Sequence, residues 1–251
     1  METWATHRSR AQVLRDRYPF AGEVLGCYLA LLDVWDSVGE LDLSRAASDV
    51  VPRVVAATQA AGPEVLAKAL AEIEDPAAVL ASYLSGAELA PVELYLARAS
   101  LYPLLARSTD AVGSPEGGHC PRCGGLPQVS VRGESGEALV SGGRSLVCSR
   151  CGHQWSFSSS ACPSCGETTG AKRTVYAEQH DGPVVDRSGS ASTFPHLRID
   201  ACATCQRYLI DVDLGRDPRA VPAVDELAAL PLALYANDQG LTKITPNLMG
   251  L

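Results

Sequence analysis

The chain has 251 residues, of which 46% are hydrophobic and 20% charged, so it is long enough to bury a sizeable core and form two domains. Its formal net charge of −8 argues against nucleic acid as a partner, because phosphate recognition requires a basic surface. No stretch approaches about 18 consecutive apolar residues, and residues 1–20 lack the apolar core of a signal peptide. We therefore expect a cytoplasmic protein without a membrane span.

The first 110 residues are rich in Ala, Leu, Val and Glu, and they predict an α-helical subdomain. Between Phe20 and Trp35, apolar residues recur every three or four positions, which is typical of an amphipathic helix that begins near Pro19. Cys27 falls on this apolar face, so we expect it to be buried and not a metal ligand. The Ser- and Gly-rich segment 108–118 predicts a linker. Further helices are predicted at residues 7–17, 44–60, 63–73, 76–84 and 91–106.

Eight of the nine cysteines form four Cys-x-x-Cys pairs. These pairs are Cys120/Cys123, Cys148/Cys151, Cys162/Cys165 and Cys202/Cys205. A two-residue spacer is the length of a tight turn that directs both sulfurs at one metal ion, and two such turns complete a tetrahedral site. The four pairs therefore predict two four-cysteine sites that hold two metal ions, either iron or zinc, since tetrahedral sulfur suits both.

Two other uses of paired cysteines fit the sequence less well. Structural disulfides need an oxidising compartment, which the expected cytoplasmic location does not provide. A thioredoxin-like redox site needs one Cys-x-x-Cys pair that opens a helix in a βαβ unit, whereas this chain has four pairs in series. Metal binding is therefore the favoured interpretation.

The residues around each pair support a metal-binding turn. Glycine follows the second cysteine in the first three pairs, at Gly124, Gly152 and Gly166, where it permits a positive φ. The fourth pair has Gln206 in that place, so its turn is either strained or needs no positive φ. We expect the basic residues near the pairs to be neighbours of the anionic thiolates. They are Arg122, Arg132, Arg144 and Arg150.

The segments between pairs favour sequential pairing, in which the first and second pairs share one ion and the third and fourth share the other. Candidate strands at 128–132 and 145–147 can form one hairpin, and those at 173–179 and 196–200 can form another. The result is two tandem modules of the rubredoxin-like or zinc-ribbon type, at residues 119–152 and 161–214. An interleaved cross-brace, first pair with third and second with fourth, is the alternative.

The predicted fold class is a multidomain α plus small β protein. An α-helical subdomain at 1–110 is followed by a duplicated four-cysteine metal-binding subdomain at 119–214 and by a short C-terminal helix and tail at 215–251. Within these parts, a strand is predicted at 207–214 and a helix at 224–238, interrupted at Pro231. The tail after residue 240 is apolar, so we expect it to pack against the protein or to be a contact segment.

No catalytic constellation is present in the sequence. It contains no glycine-rich dinucleotide motif, P-loop, nucleophile elbow or H-E-x-x-H motif. His119 and His153 flank knuckles and are expected as neighbours of the sulfur ligands rather than ligands themselves. Closed four-cysteine sites also lack the open coordination position of catalytic zinc. These observations indicate a protein that is not an enzyme.

Several stretches carry a family resemblance. One of them is the fourth cysteine pair, Cys202 and Cys205, with Arg207-Tyr-Leu after it. The others are residues 17–21 (Arg-Tyr-Pro-Phe-Ala), 120–124 with Pro127, 146–152 running into Trp155, 162–166, 224–228 (Val-Asp-Glu-Leu-Ala) and 241–248 (Leu-Thr-Lys-Ile-Thr-Pro-Asn-Leu). In the order of these stretches along the sequence, the chain resembles the formate dehydrogenase accessory protein family, FdhE.

The resemblance implies a cytoplasmic accessory factor for a molybdenum- or tungsten-containing formate dehydrogenase. Such a factor would bind the catalytic subunit, support its maturation or activation, and carry iron in its thiolate sites. Two alternatives stay open: a rubredoxin-like electron-transfer protein, and a zinc-ribbon module that binds proteins in general.

Overall fold

The computed structural model describes residues 4–39, 41–107, 117–133, 143–178 and 193–250. Nearly all of the linker predicted at 108–118 lies outside these ranges, as does Gln179 at the end of one predicted strand. The described residues group into two compact units, one built on helices and one on a sheet. The three-part division predicted from the sequence stays a prediction, because contact between residues does not test independent folding. No described helix combines the length and the apolarity that crossing a membrane requires.

The helical unit contains six α-helices among the described residues, close to the segments that the sequence predicts. They are α1 (Trp4–Arg17), α2 (Gly22–Ser37), α3 (Val51–Ala61), α4 (Glu64–Ala71), α5 (Pro76–Ser85) and α6 (Pro91–Arg107). The helix predicted at 44–60 is only partly α-helical, because a 3-10 turn (Leu43–Arg45) and a π turn (Ala46–Val50) precede α3. Pro52 accounts for this start, since proline lacks an N–H group and is tolerated only in a helix's first turn.

The core of the helical unit is centred on Trp35, which is 1% exposed. Its indole Nε1 donates a hydrogen bond to the Ala99 carbonyl of α6 at 2.8 Å, which satisfies its one polar atom. Trp4 and Tyr102 lie against its ring. Cys27 is fully buried in α2, with its sulfur 3.6 Å from the Tyr95 hydroxyl, as the apolar stripe predicts.

The sheet unit contains seven strands among the described residues. They are β1 (Pro127–Arg132), β2 (Arg144–Cys148), β3 (Gln154–Ser156), β4 (Arg173–Tyr176), β5 (Leu197–Cys202), β6 (Arg207–Asp213) and β7 (Thr242–Lys243). Both predicted hairpins are present: β1 pairs antiparallel with β2, and β4 pairs antiparallel with β5. The strand order is β3-β2-β1-β6-β5-β4, with β7 alongside β6.

This strand order shows the duplication directly. Each half consists of a hairpin and a third strand that pairs with the hairpin's second strand, β3 with β2 in one half and β6 with β5 in the other. The two halves do not form separate sheets, because β1 pairs in parallel with β6 through residues 129–132 and 210–213. Each module therefore supports the other through backbone hydrogen bonds.

Residues 222–245 complete the sheet unit, and the residues after them group with the helical unit. Helix α7 (Pro222–Ala228) contacts β1 and β6, and helix α8 (Leu230–Asp238) contacts β5. The break at Ala229 divides the predicted helix just before Pro231, as expected. The apolar tail is held in place, since β7 pairs with β6 and Ile244 is buried against Leu146 and Leu209.

A buried network of charges crosses the middle of the sheet. Asp211 is 1% exposed and accepts hydrogen bonds from the Ser130 hydroxyl at 2.7 Å and from Arg132 and Arg198 at 2.8 Å each. The Ser130 hydroxyl also accepts from Arg144 Nε at 2.8 Å, and Arg144 donates to Asp200 at 2.7 Å. A carboxylate this deeply buried is tolerated only because its hydrogen-bonding capacity is filled.

We expect Asp211→Asn to destabilise the metal-loaded protein by about 2 to 4 kcal/mol, because it leaves Arg132 and Arg198 without their shared counter-charge. Denaturant unfolding checks this value. The matched control is Asp213→Asn on the same strand, whose partner Arg216 lies 3.8 Å away and is largely exposed. That change should cost less than about 1 kcal/mol. Equal effects of the two substitutions would contradict the structural importance of the network.

Candidate metal centres

Four turns at the ends of strands carry the eight paired cysteines. The first knuckle (Cys120–Gly124) precedes β1, and the third (Cys162–Gly166) precedes β4. The second (Cys148–Gly152) joins β2 to β3, and the fourth (Cys202–Gln206) joins β5 to β6. Because β1 pairs with β2 and β4 with β5, each hairpin brings two knuckles to the same end of its two strands.

Three of the knuckles share one hydrogen-bonded turn. The amide of the residue after the second cysteine donates to the carbonyl of the first cysteine at 2.9 Å, from Gly124, Gly166 and Gln206. In the first and third knuckles, the amide of the first cysteine also donates to a carbonyl beyond the turn. The acceptors are the carbonyls of Gly125 and Glu167, respectively, each at 2.8 Å. Backbone hydrogen bonds therefore close each of these turns.

The residue after the second cysteine has a positive φ in all four knuckles. The three glycines have φ values of +70°, +65° and +75°, as the sequence predicts. Gln206 has φ +55° and is the one non-glycine residue with positive φ among the described residues. The sequence left open whether the fourth turn is strained or needs no positive φ, and its positive φ shows that it is strained. Its side chain partly compensates by donating from Nε2 to the Ala203 carbonyl at 2.8 Å.

The sulfurs form two groups of four, and the grouping is the sequential one. The sulfurs of Cys120, Cys123, Cys148 and Cys151 all lie within 4.8 Å of one another, as do those of Cys162, Cys165, Cys202 and Cys205. We call these groups the first and second cysteine clusters. No disulfide joins any two cysteines in the part of the chain that the structure describes, so the disulfide interpretation is not the one observed.

The distances within the clusters fit a tetrahedral metal site. The Cys162 and Cys205 sulfurs lie 3.8 Å apart, and those of Cys165 and Cys202 also lie 3.8 Å apart. A tetrahedron with metal–sulfur bonds of about 2.3 Å has sulfurs about 3.8 Å apart. In the first cluster, Cys123 and Cys148 are 3.4 Å apart, so binding needs only a small separation of these two atoms. Each cluster thus supplies the complete donor set for iron or zinc.

Backbone amides stabilise thiolates in the second cluster. Burial, helped by the neighbouring thiols of Cys165 and Cys202, raises the pKa of the Cys162 thiol to about 12, even though the amides of Cys165 and Ser164 donate to its sulfur. At Cys202, burial also acts to raise the pKa, but the amides of Cys205 and Thr204, together with the thiols of Cys162 and Cys165, outweigh it and bring the pKa to about 7. The same two positions therefore donate in both knuckles, which spreads the thiolate charge.

Glu167 bridges the two knuckles of the second cluster. Its carboxylate accepts from the Thr169 amide at 2.8 Å and from the Thr204 hydroxyl at 2.8 Å. These bonds, with the Thr169 backbone donor the largest cause, lower the pKa of Glu167 to about 2. The low pKa favours the ionised carboxylate, which accepts both hydrogen bonds.

The other residues that the sequence singles out have supporting roles. His119 Nδ1 lies 2.9 Å from the Gly124 carbonyl, and the His153 carbonyl accepts from the Cys148 amide at 2.9 Å. Neither histidine belongs to a cysteine cluster. Arg132 and Arg144, expected beside thiolates, pair with the carboxylates of Asp211 and Asp200, and Arg144 also interacts electrostatically with the Cys162 thiol.

Sequence reasoning missed a buried histidine–carboxylate pair in the sheet unit. His196 Nε2 lies 2.7 Å from Asp225 Oδ1, and both side chains are almost fully buried. Asp225 Oδ2 also accepts from the Val221 amide at 2.8 Å. The pair fastens the start of α7 to the residue before β5. A lone histidine beside a strand carries no signal of a partner 29 residues further along the chain.

The comparisons with known proteins agree with this architecture. Residues 160–249 match a family model described as FdhE, C-terminal domain. The Protein FdhE homolog of Aquifex aeolicus is 29% identical over 132 residues, which are 53% of this chain and 41% of that protein. The homolog of Pseudomonas aeruginosa is 30% identical over 131 residues, which are 52% of this chain and 38% of that protein. The matched part thus spans less than half the length of these relatives.

A solved structure extends the likeness to nearly the whole fold. The crystal structure of the FdhE protein from Pseudomonas aeruginosa has a TM-score of 0.70 with this chain and covers 98% of it and 95% of its own chain. At 21% identity, this likeness concerns the fold. The resemblance to the FdhE family drawn from the sequence is confirmed, and so is the predicted fold class.

We expect the purified chain, handled without oxygen, to hold two metal ions with four sulfur ligands each. The reason is that each cluster presents a complete tetrahedral set of thiols. Metal analysis gives the number of ions per chain, and X-ray absorption gives the ligand atoms. One ion per chain, or a shell dominated by nitrogen and oxygen, would contradict the expectation.

We expect Gln206→Gly to stabilise the metal-loaded protein by about 0.5 to 1 kcal/mol. The change relieves a left-handed backbone that costs most L-residues about 1 to 2 kcal/mol, partly offset by the lost side-chain hydrogen bond and the greater freedom of glycine. The matched control is Gly166→Gln in the third knuckle, where φ is +75° and an added Cβ would meet no atom within 4 Å. It should destabilise by about 1 kcal/mol through backbone strain alone. Denaturant unfolding would refute this account if both substitutions changed stability in the same direction.

Proposed function

We propose that this chain is an accessory protein for formate dehydrogenase, which binds the catalytic subunit and supports its maturation or activation. The observation that carries the proposal is the match of residues 160–249 to the FdhE C-terminal domain. This stretch contains the third and fourth knuckles and therefore the whole second cysteine cluster.

The chemistry of the clusters favours binding over catalysis. In each cluster, four cysteine sulfurs would complete the coordination of a tetrahedral ion and would leave no position for water or substrate. A metal held in this way acts as a staple that adds folding free energy on the order of 10 kcal/mol. We therefore propose a protein that has no turnover of its own and works by contact with another protein.

The acidic composition supports a protein partner over nucleic acid. The formal charge is −8 before metal binding, and eight thiolates with two divalent ions would make it more negative. A polyanionic partner would be repelled at ordinary salt concentrations. The proposal places this contact in the cytoplasm, where a reducing environment keeps the eight thiols available for metal.

Electron transfer is the second candidate function. The observation that favours it is the exposure of residue Cys165, which places the second cluster at the protein surface. An iron-loaded four-cysteine site could exchange one electron with a partner at such a point. A visible spectrum that changes reversibly on reduction and reoxidation of the iron-loaded chain would support this function, and an iron form that cannot be cycled would exclude it.

We expect deletion of the gene in its native host to abolish formate dehydrogenase activity while leaving the catalytic polypeptide present. A copy with both Cys123→Ser and Cys165→Ser should fail to restore activity, because each substitution removes one ligand from one cluster. Cys27→Ala is the control, since this cysteine is outside both clusters, and it should restore activity. Enzyme assays and immunoblots of the catalytic subunit measure these outcomes.

Two results would contradict the proposal at different levels. If deletion leaves formate oxidation unchanged, the accessory role itself is wrong and a general protein-binding ribbon module takes its place. If the doubly substituted protein is soluble and restores full activity, the role stands but does not depend on the metal sites.

A further inference from the structure

The two cysteine clusters differ in their exposure to solvent. In the first, Cys120, Cys148 and Cys151 are buried and Cys123 is partly buried. In the second, two cysteines are buried, Cys205 is partly buried and Cys165 is exposed. Cys123 and Cys165 hold the same position, the second cysteine of the knuckle that precedes a hairpin, so the difference compares equivalent atoms of the two modules.

Exposure of one thiolate changes how a closed site can release its ion. A four-sulfur site has no vacant position, so an incoming ligand has to displace a sulfur. Displacement is easiest where the incoming ligand can reach both the sulfur and the metal, and a covering protein layer prevents it elsewhere. In the second cluster, Cys165 is the most exposed of the four ligand residues.

The frame of the second cluster does not depend on the ion alone. The carboxylate of Glu167 holds Thr169, beyond the third knuckle, and Thr204, in the fourth knuckle. Strands β5 and β6, on either side of the fourth knuckle, pair with each other, and β6 pairs with β1 of the other module. An ion that leaves the second cluster therefore leaves behind knuckles that stay close together.

We propose that the second cluster is an exchangeable metal site that opens at Cys165, while the first cluster retains its ion as a structural staple. The inference rests on the proposed loading of both clusters with metal. The exchanged species is a soft divalent cation, zinc or ferrous iron. No electron moves in the exchange: the cation passes to the incoming ligand, and the four thiolates take up protons or bind the next cation.

The first test follows metal release from the zinc-loaded full-length chain. After metal analysis has counted the ions, excess 4-(2-pyridylazo)resorcinol is added and its zinc complex is followed by absorbance. We expect two phases of one equivalent each, with rates at least tenfold apart. A single phase that releases both ions would overturn the exchange proposal and leave the two-ion loading intact. A chain that holds ions in the first cluster only would overturn both.

The second test assigns the fast phase without any substitution. Iodoacetamide is added to the loaded wild-type chain, and labelled peptides are measured by mass spectrometry over time. Cys165 should be alkylated first, and its labelling should remove one ion. Labelling of Cys123 or of another cysteine of the first cluster before Cys165 would overturn the proposal.

A third test uses a substitution that leaves all ligands in place. Thr204→Val removes the hydroxyl that donates to Glu167, so the emptied second cluster should be less well ordered and rebind zinc several-fold more slowly. The slow phase of release should not change. Ser164→Ala, at the same position of the third knuckle, is the control and should rebind like the wild type. Rebinding slowed equally by both substitutions would show that the bridge does not hold the empty site together.

Discussion

The structure of the sheet unit depends on closing two short hairpins with four sulfurs each. Strands β2 and β5 end in a knuckle, β1 and β6 closely follow one, and the seven described strands are only two to seven residues long. Small sheets of this kind seldom supply enough apolar burial to offset the entropy of ordering the chain. Thiolate coordination contributes the missing free energy, and the positive-φ turns aim the sulfurs at the place where the ion binds.

Pairing between the two duplicated modules also stabilises the sheet unit. The parallel pairing of β1 with β6 joins the modules edge to edge, so each hairpin has a neighbour besides its own partner strand. The carboxylate of Asp211 lies at this junction and holds Ser130 of one module and Arg198 of the other. Such coupling lets one module keep its geometry while the other exchanges its ion. Cys123 and Cys165 hold equivalent positions but differ in exposure, and under the exchange proposal this difference makes the second cluster release its ion more readily than the first.

The sequence predicted the local features well and the long-range ones poorly. Spacing of cysteines, glycines and apolar residues is local information, so the knuckles, both hairpins, most helices and the sequential grouping of ligands followed from it. The joining of the modules into one sheet did not, because nothing in β1 or β6 specifies its partner 81 positions away, from Ser130 to Asp211. The pairing of His196 with Asp225 and the exposure of Cys165 likewise arise only when distant elements meet. Pro52 indicates that a helix can begin near residue 51, but the sequence does not indicate the π turn that precedes α3.

Hydrogen exchange on the metal-loaded and the fully metal-free chain tests the central claim most directly, since amide protection reports the stability of each strand and helix separately. If the thiolate sites hold the sheet unit together, removing both ions should strip protection from β1, β2, β5 and β6. Helices α1 to α6 should retain theirs, because their core around Trp35 contains no ligand. Equal protection of the sheet with and without metal would contradict the claim.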